Sequence, residues 1–225
     1  METFRTVKKD SHVKEAYYEI QKSKFYARIC HAETEDEVRA FILEIKKRCY
    51  DARHNPSAYI LGTEPSTMKM KSNDDGEPGG TSGNPILEAM KKRGITNACL
   101  VVTRYFGGIK LGAGGLIRAY GHAAGLAIAA ASIVEMRPFT ALAVKIPYEL
   151  LTSIEHFIRE ESIHTEETIY AEDVTFHLLL PPGEIEEKRA VIIDRTAGKA
   201  VLTEGDTRCI AIEITSCRKE ELNVL

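Results

Sequence analysis

Five glycines fall within nine positions in residues 103–120, TRYFGGIKLGAGGLIRAY: Gly107, Gly108, Gly112, Gly114 and Gly115. They separate an apolar, strand-like run ending at Tyr105 from an Ala- and Gly-rich helical stretch. Such a turn lets backbone N–H groups approach a ligand, and the helix N-terminus that follows attracts anions. Arg104, Lys110 and Arg118 add positive charge, so the chemistry suggested is phosphate binding. Neither familiar nucleotide motif is met. Gly112 is followed by Ala113-Gly114 where a Walker loop needs Lys-Ser/Thr, and a GxGxxG frame started at Gly112 puts Ile117 at its third glycine. A tight strand-to-helix crossing, in which the glycines serve backbone geometry alone, stays open beside phosphate binding.

A second cluster is NDDGEPGGTSG at residues 73–83, where Asp74, Asp75 and Glu77 put three carboxylates within four positions. Oxygen ligands of this kind suit Mg²⁺ or Ca²⁺, although an EF-hand frame would begin on Lys71 and end on Ser82. An acidic surface loop without metal is the alternative. Thr81 and Ser82 precede a helix and could extend an anion nest at its start. His54, just before a strand, is a candidate general base oriented by Asp74 or Glu77, or else a hydrogen-bonded structural histidine. No GxSxG elbow and no HExxH helix is present.

The elements that must hold these residues can be read from pattern. Residues 4–9, 13–22 and 24–31 are β-like with short breaks, an antiparallel start. Thr34 and Glu37 form a capping-box signature for a helix with Val38, Phe41, Ile42, Ile45 and Cys49 at helical spacing. A strand at residues 57–61 leads into residues 62–83, which show no periodicity and read as a long loop, either functional or disordered. A helix beginning at Asn84, with Pro85 at its first position, ends at Lys91-Lys92-Arg93 before Gly94. A strand over 98–105 and a helix to about Ser132 complete a first domain, 1–137, closed by the Arg137-Pro138 break. Beyond it come a strand (140–147), a helix (149–161), two strands (163–170 and 173–180), a helix ending near Gly198 and a strand (208–214). That βαββαβ order over 138–225 is the ferredoxin-like split βαβ pattern.

Charge follows the same division. Residues 1–137 carry 21 Lys+Arg and 16 Asp+Glu, a net of +5, and the rest carry 9 and 17, a net of −8. The basic part fits a polyanionic partner. Its candidate cations include Lys22, Lys24, Arg28 and the basic helix ends Lys46-Lys47-Arg48 and Lys91-Lys92-Arg93. Tyr18, Phe25, Tyr26, Tyr105, Phe106 and Tyr120 are aromatics that could stack on unpaired bases. Five scattered cysteines without CxxC spacing read as reduced thiols. The longest apolar run, 123–134, is too short to span a membrane, and residues 1–10 lack the apolar core of a secretory signal. A cytoplasmic, non-membrane protein is expected, with no resident cofactor.

Lys22-Ser23-Lys24-Phe25, Ala52 and His54 with Ala58-Tyr59, DDGEPGGTSG at 74–83 and RYFGGIKLGAGGLIRAY at 104–120 together resemble the IMPACT family, including its bacterial YigZ-type members. The resemblance implies an α+β protein of two domains. The first is like the second domain of a small-subunit ribosomal protein, with a left-handed βαβ crossover. The second is ferredoxin-like and similar to the C-terminal domain of elongation factor G. Family members are linked to translational control, and RNA or ribosome binding has been proposed for bacterial ones, so RNA or ribosome is the implied partner. The RWD domain of eukaryotic members is not expected here, because the diagnostic motifs start near Lys22. Three functions follow as expectations. The leading one is RNA or ribosome binding in translation, with the 104–118 loop cradling phosphates and Lys24 assisting. The second is an enzyme acting on a phosphate-containing small molecule or nucleotide through His54, Asp74, Asp75 and Glu77, with Mg²⁺ as a possible ion. The third gives the acidic second domain a protein partner.

Overall fold

A computed structural model describes residues 2–9, 13–64 and 66–214. They divide into two compact units: Glu2–Met136 with the described residues from Ala211 on, and Arg137–Ile210. The architecture is α+β in both.

In the first unit, β2 (Glu15–Ile20), β3 (Ser23–His31), β6 (Ala98–Tyr105), β4 (Ser57–Leu61) and β5 (Lys69–Asn73) form one sheet in the order β2-β3-β6-β4-β5, with every neighbouring pair antiparallel. Since β3 and β4 both run against β6, they are parallel to each other, and α1 (Glu35–Arg48) connects them. α1 starts where the sequence placed it, with a complete capping box between Thr34 and Glu37. One face of the sheet, with Phe25, Ala27, Ile29, Leu100 and Val102, packs against α2 (Gly83–Lys92) and α3 (Gly112–Ala130). Ala119, Ala123, Ala124 and Ala127 are buried, and their small side chains bring the α3 backbone close to the strands. The other face carries Cys99 and Val101, which α1 covers with Val38, Phe41 and Ile45.

The second unit is the ferredoxin-like βαββαβ, with β7 (Ile133–Ile146), α4 (Leu151–Glu160), β8 (His164–Tyr170), β9 (Val174–Leu180), α5 (Ile185–Arg195) and β10 (Val201–Glu213). β9 lies between β7 and β8, antiparallel to both, and β10 pairs with β7. Leu142, Val144, Phe157, Phe176, Leu178 and Ile192 form its core.

Several boundaries differ from expectation for identifiable reasons. Residues 62–83 are not one loop. They contain β5, which pairs with β4 through Tyr59 and Lys71 but sits at the sheet edge with mostly exposed side chains, so KMKSN needs no apolar alternation. Its lysines suit an unpaired edge. The Arg137-Pro138 break does not interrupt β7. The strand's first four residues pair with β1 (Phe4–Val7), and from Thr140 it pairs with β9. Pro138 therefore lies outside both of these ladders, so its missing N–H interrupts neither. α2 begins at Gly83, so Pro85 is its third residue, β10 begins at Val201 and not Arg208, and α5 stops at Arg195. No helix among the described residues is long and apolar enough to cross a membrane.

Candidate functional site

The acidic loop at 73–83 folds around its own first carboxylate. Asp74 Oδ1 accepts from Ser82 N (3.0 Å), Ser82 Oγ (2.7 Å) and Gly83 N (2.8 Å), and Oδ2 accepts from Gly80 N (2.8 Å). Asp74 thus caps α2 from nine residues upstream, where a negative charge also complements the helix dipole, while Ser82 at the N-cap makes no side-chain cap of its own. Thr81 Oγ1 donates to Pro78 O at 2.6 Å. The hydroxyls of Thr81 and Ser82 are therefore engaged within the loop and do not open an anion nest.

Asp75 ties this loop to two other segments. Its carboxylate accepts from Lys46 Nζ at 2.6 Å and from Asn55 N at 2.8 Å. Its carbonyl lies 2.9 Å from His54 Nδ1, which donates to it. The group orienting His54 is thus a backbone oxygen of Asp75, not the carboxylate of Asp74 or Glu77. Burial alone would raise both aspartates, but the loop amides and Ser82 around Asp74, and Lys46 with Asn55 around Asp75, outweigh it and hold both below the usual carboxylate value. A depressed folded pKa stabilises the fold above the ordinary value near 4 and is lost as pH falls through the folded one. In urea titrations, Asp74→Asn is expected to unfold earlier than the parent at pH 7, with the gap closing below about pH 4. A gap independent of pH would show that Asp74 is not held ionised.

Glu77 lies at the centre of a buried polar cluster. Its Oε1 accepts from Arg104 Nη1 and from Tyr120 OH, both at 2.7 Å, with the Glu77 and Arg104 side chains only 4% and 7% exposed. Arg104 Nη2 and Gly107 N both donate to Ser23 Oγ, at 3.4 and 3.3 Å. The Arg104 guanidinium also lies over the rings of Phe25 and Phe106, at 5.6 and 5.5 Å. Burial and the Glu77 carboxylate push the Tyr120 phenol far above its ordinary pKa. Arg104 was expected to bind phosphate from the surface. Its charge is instead neutralised inside the unit, and it joins the two diagnostic segments, the acidic loop through Glu77 and the glycine turn through Ser23. Its backbone N–H also donates to His54 O at 3.0 Å.

His54, the acidic loop and Arg104 are therefore brought together, but as a brace. Among the described residues no three His, Cys, Asp or Glu side chains converge as metal ligands would. Asp74, Asp75 and Glu77 point to three separate sets of partners, and that arrangement does not fit a bound Mg²⁺.

Of the cations in and beside the glycine turn, Lys22, Lys24, Lys110 and Arg118 are exposed, as are Lys47, Arg48 and Lys92 at the helix ends. None makes an ion pair among the described residues. Gly112 opens α3 with Leu111 at the N-cap, which contributes no side-chain hydrogen bond, and among the described residues no other side chain caps the first amides of α3 beside Lys110. Gly108, Gly112 and Gly114 are exposed, with Gly107 and Gly115 half-buried in the same turn. Of the aromatics proposed for stacking, Phe25 and Tyr120 are core residues and Tyr18 packs against the same core, whereas Tyr26, Tyr105 and Phe106 are accessible. Tyr120 as a partner of Glu77 and Ser23 as a shared acceptor were not foreseen. Both depend on contacts between residues tens of positions apart.

With the geometry in hand, comparison places the chain among known proteins. Residues 21–128 match the Impact N-terminal domain, and residues 144–199 match a domain of unknown function, DUF1949. The chain is 38% identical over 202 residues to the IMPACT family member YvyE of Bacillus subtilis, covering 90% of this chain and 92% of that one. It is 31% identical over 184 residues to the IMPACT family member YigZ of Escherichia coli, covering 82% and 90%. A crystal structure titled only as a hypothetical protein superposes with a TM-score of 0.57 at 29% identity, covering 92% of this chain and 98% of the other.

Proposed function

The chain belongs to the IMPACT family, and on that footing we propose that it binds RNA or the ribosome and acts in translation or its regulation. One observation carries this reading. Lys22, Lys24, Lys110 and Arg118 are exposed and have no acidic partner among the described residues, while the other charge of the diagnostic segments, Arg104, Asp74, Asp75 and Glu77, is consumed internally. Cations left without carboxylates beside an uncapped helix start are suited to phosphates. Support also comes from the net +5 of residues 1–137. An enzymatic reading through His54 and the three carboxylates has less in its favour, because each carboxylate already accepts from protein donors.

Binding through phosphates releases counterions, so affinity falls linearly in a double-logarithmic plot against salt, by about 0.7 per phosphate for single strands. The full chain is expected to bind short RNA or ribosomal subunits at about 50 mM salt and to lose roughly tenfold or more by about 200 mM. Lys110→Ala and Arg118→Ala should each flatten that slope. Absence of binding to either target at low salt would overturn the reading.

A further inference from the structure

The face of the first sheet turned away from α2 and α3 holds a row of tyrosines that phosphate binding leaves unused. Strand register sets Glu19, Lys24 and Tyr105 side by side across β2, β3 and β6, and Tyr17, Tyr26 and Thr103 in the next row. Alternation along each strand puts these residues on one face. α1 covers that face only beyond them, over Cys30, Val101 and Cys99. The ring centroids of Tyr17 and Tyr26 are 5.2 Å apart, and those of Tyr26 and Tyr105 are 5.8 Å apart, giving a continuous aromatic strip three strands wide. Phe106 extends it around the turn. Tyr17 is 48% exposed and Phe106 56%.

The strip borders a groove of about 440 Å³ that Lys22, Lys24, Tyr26, Tyr105 and Phe106 line. Each acid nearby already accepts from a protein donor, and Glu15 is neutralised by a cation. Glu15 pairs with Arg28, Glu19 accepts from Tyr17 OH, and Asp51 accepts from Tyr105 OH at 2.8 Å. Lys22 and Lys24 make no ion pair among the described residues, with Glu19 opposite Lys24 on β2. Apart from Cys49, the apolar lining is aromatic, with no aliphatic side chain to receive the apolar anchor of a protein partner. Flat rings interleaved with free cations suit bases whose faces are open and whose phosphates lie alongside.

We propose that this strip is a stacking platform for about two or three unpaired bases of single-stranded RNA, with Lys22 and Lys24 on the flanking phosphates. The inference rests on the RNA-binding reading above and narrows it to unpaired segments, since a duplex keeps the faces of its bases stacked inside.

The test uses the full chain with a labelled oligouridylate of about 12 nucleotides and an RNA duplex of the same length. The single strand is expected to bind at least about tenfold more tightly than the duplex. Tyr17→Ala and Phe106→Ala replace half-exposed side chains that the fold tolerates, and each should weaken single-strand binding about tenfold with the salt slope unchanged. Lys22→Ala and Lys24→Ala should each reduce the slope by about 0.7. Tyr17→Trp adds a reporter to a chain without tryptophan, and its fluorescence should be quenched by stacked bases. Parent-like binding by both alanine variants, or equal affinity for the duplex, would overturn the platform while leaving RNA binding in place. Failure of the parent chain to bind either RNA would overturn the platform, and failure to bind ribosomal subunits as well would overturn the reading it rests on.

Discussion

Glu77→Ala is expected to lower the unfolding free energy by about 3–5 kcal/mol, the usual penalty for stranding one partner of a buried ion pair. Glu77 and Arg104 are both more than nine-tenths buried and 2.7 Å apart, so no water replaces the lost carboxylate. Two donors are orphaned at once, Arg104 Nη1 and the Tyr120 hydroxyl. Arg104 has no slack to absorb the change, because its Nε is already buried without a partner. The stored charge is what makes the single substitution severe. Replacing the whole cluster by apolar groups of similar volume, Glu77→Leu with Arg104→Met and Tyr120→Phe, should recover most of the loss, since an apolar set carries no desolvation penalty. Urea unfolding of the parent, Glu77→Ala and the triple variant measures both effects. A loss below about 1 kcal/mol for Glu77→Ala would mean that the pair is solvated and that the brace is not a buried one.

Gly107→Ala should be the second severe change and should affect function as well. A Cβ at this position would lie 2.0 Å from the carbonyl carbon of Lys22, 2.1 Å from its oxygen and 2.4 Å from Ser23 N. All three are backbone atoms, so no side chain can swing aside and either the β2–β3 hairpin or the turn after β6 must move. Lys22 and Gln21 occupy left-handed backbone conformations in a two-residue turn, which leaves the hairpin little freedom to yield. A cost of about 3 kcal/mol is expected, at the upper end of the range for overpacking. The same movement separates Phe106 from Lys22 and withdraws Gly107 N and Arg104 from Ser23 Oγ, so RNA affinity should fall more than tenfold. Gly108→Ala is the matched control. Its φ of +86° makes an alanine strained by about 1 kcal/mol, yet nothing lies within 4 Å of the added carbon. Equal behaviour of the two variants would refute close approach as the reason for glycine at 107.

Much of the fold is written locally. The α1 cap requires only Thr34 and Glu37 three positions apart, and the βαββαβ order of the second unit follows from short apolar runs and their punctuation. β5 escaped because an edge strand exposed on both sides has no apolar period to show. The continuity of β7 escaped because a proline reads as a break, whereas the β1 ladder ends at Met136 and the β9 ladder starts at Thr140, so Pro138 interrupts neither.

The candidate site was legible as a set of residues and not as an arrangement. Residues 74–83 and 104–120 were identified as the chemistry-bearing segments, and the resemblance they carry led to the family. Which of their charges face solvent was beyond reach. Arg104 reads like any basic residue at the head of a glycine turn until Glu77, 27 positions earlier, is folded against it. Tyr17 and Tyr18 are adjacent and alike, but pairing with β3 turns Tyr17 toward Tyr26 and Tyr18 toward the core. Sequence alone therefore determined most of the elements, the family and the segments that matter, because caps, periodicity and glycine-rich turns act over a few residues. Only the tertiary structure decided which cations are neutralised and which remain free, because a charge is cancelled by whatever the fold brings within about 4 Å of it, however distant along the chain.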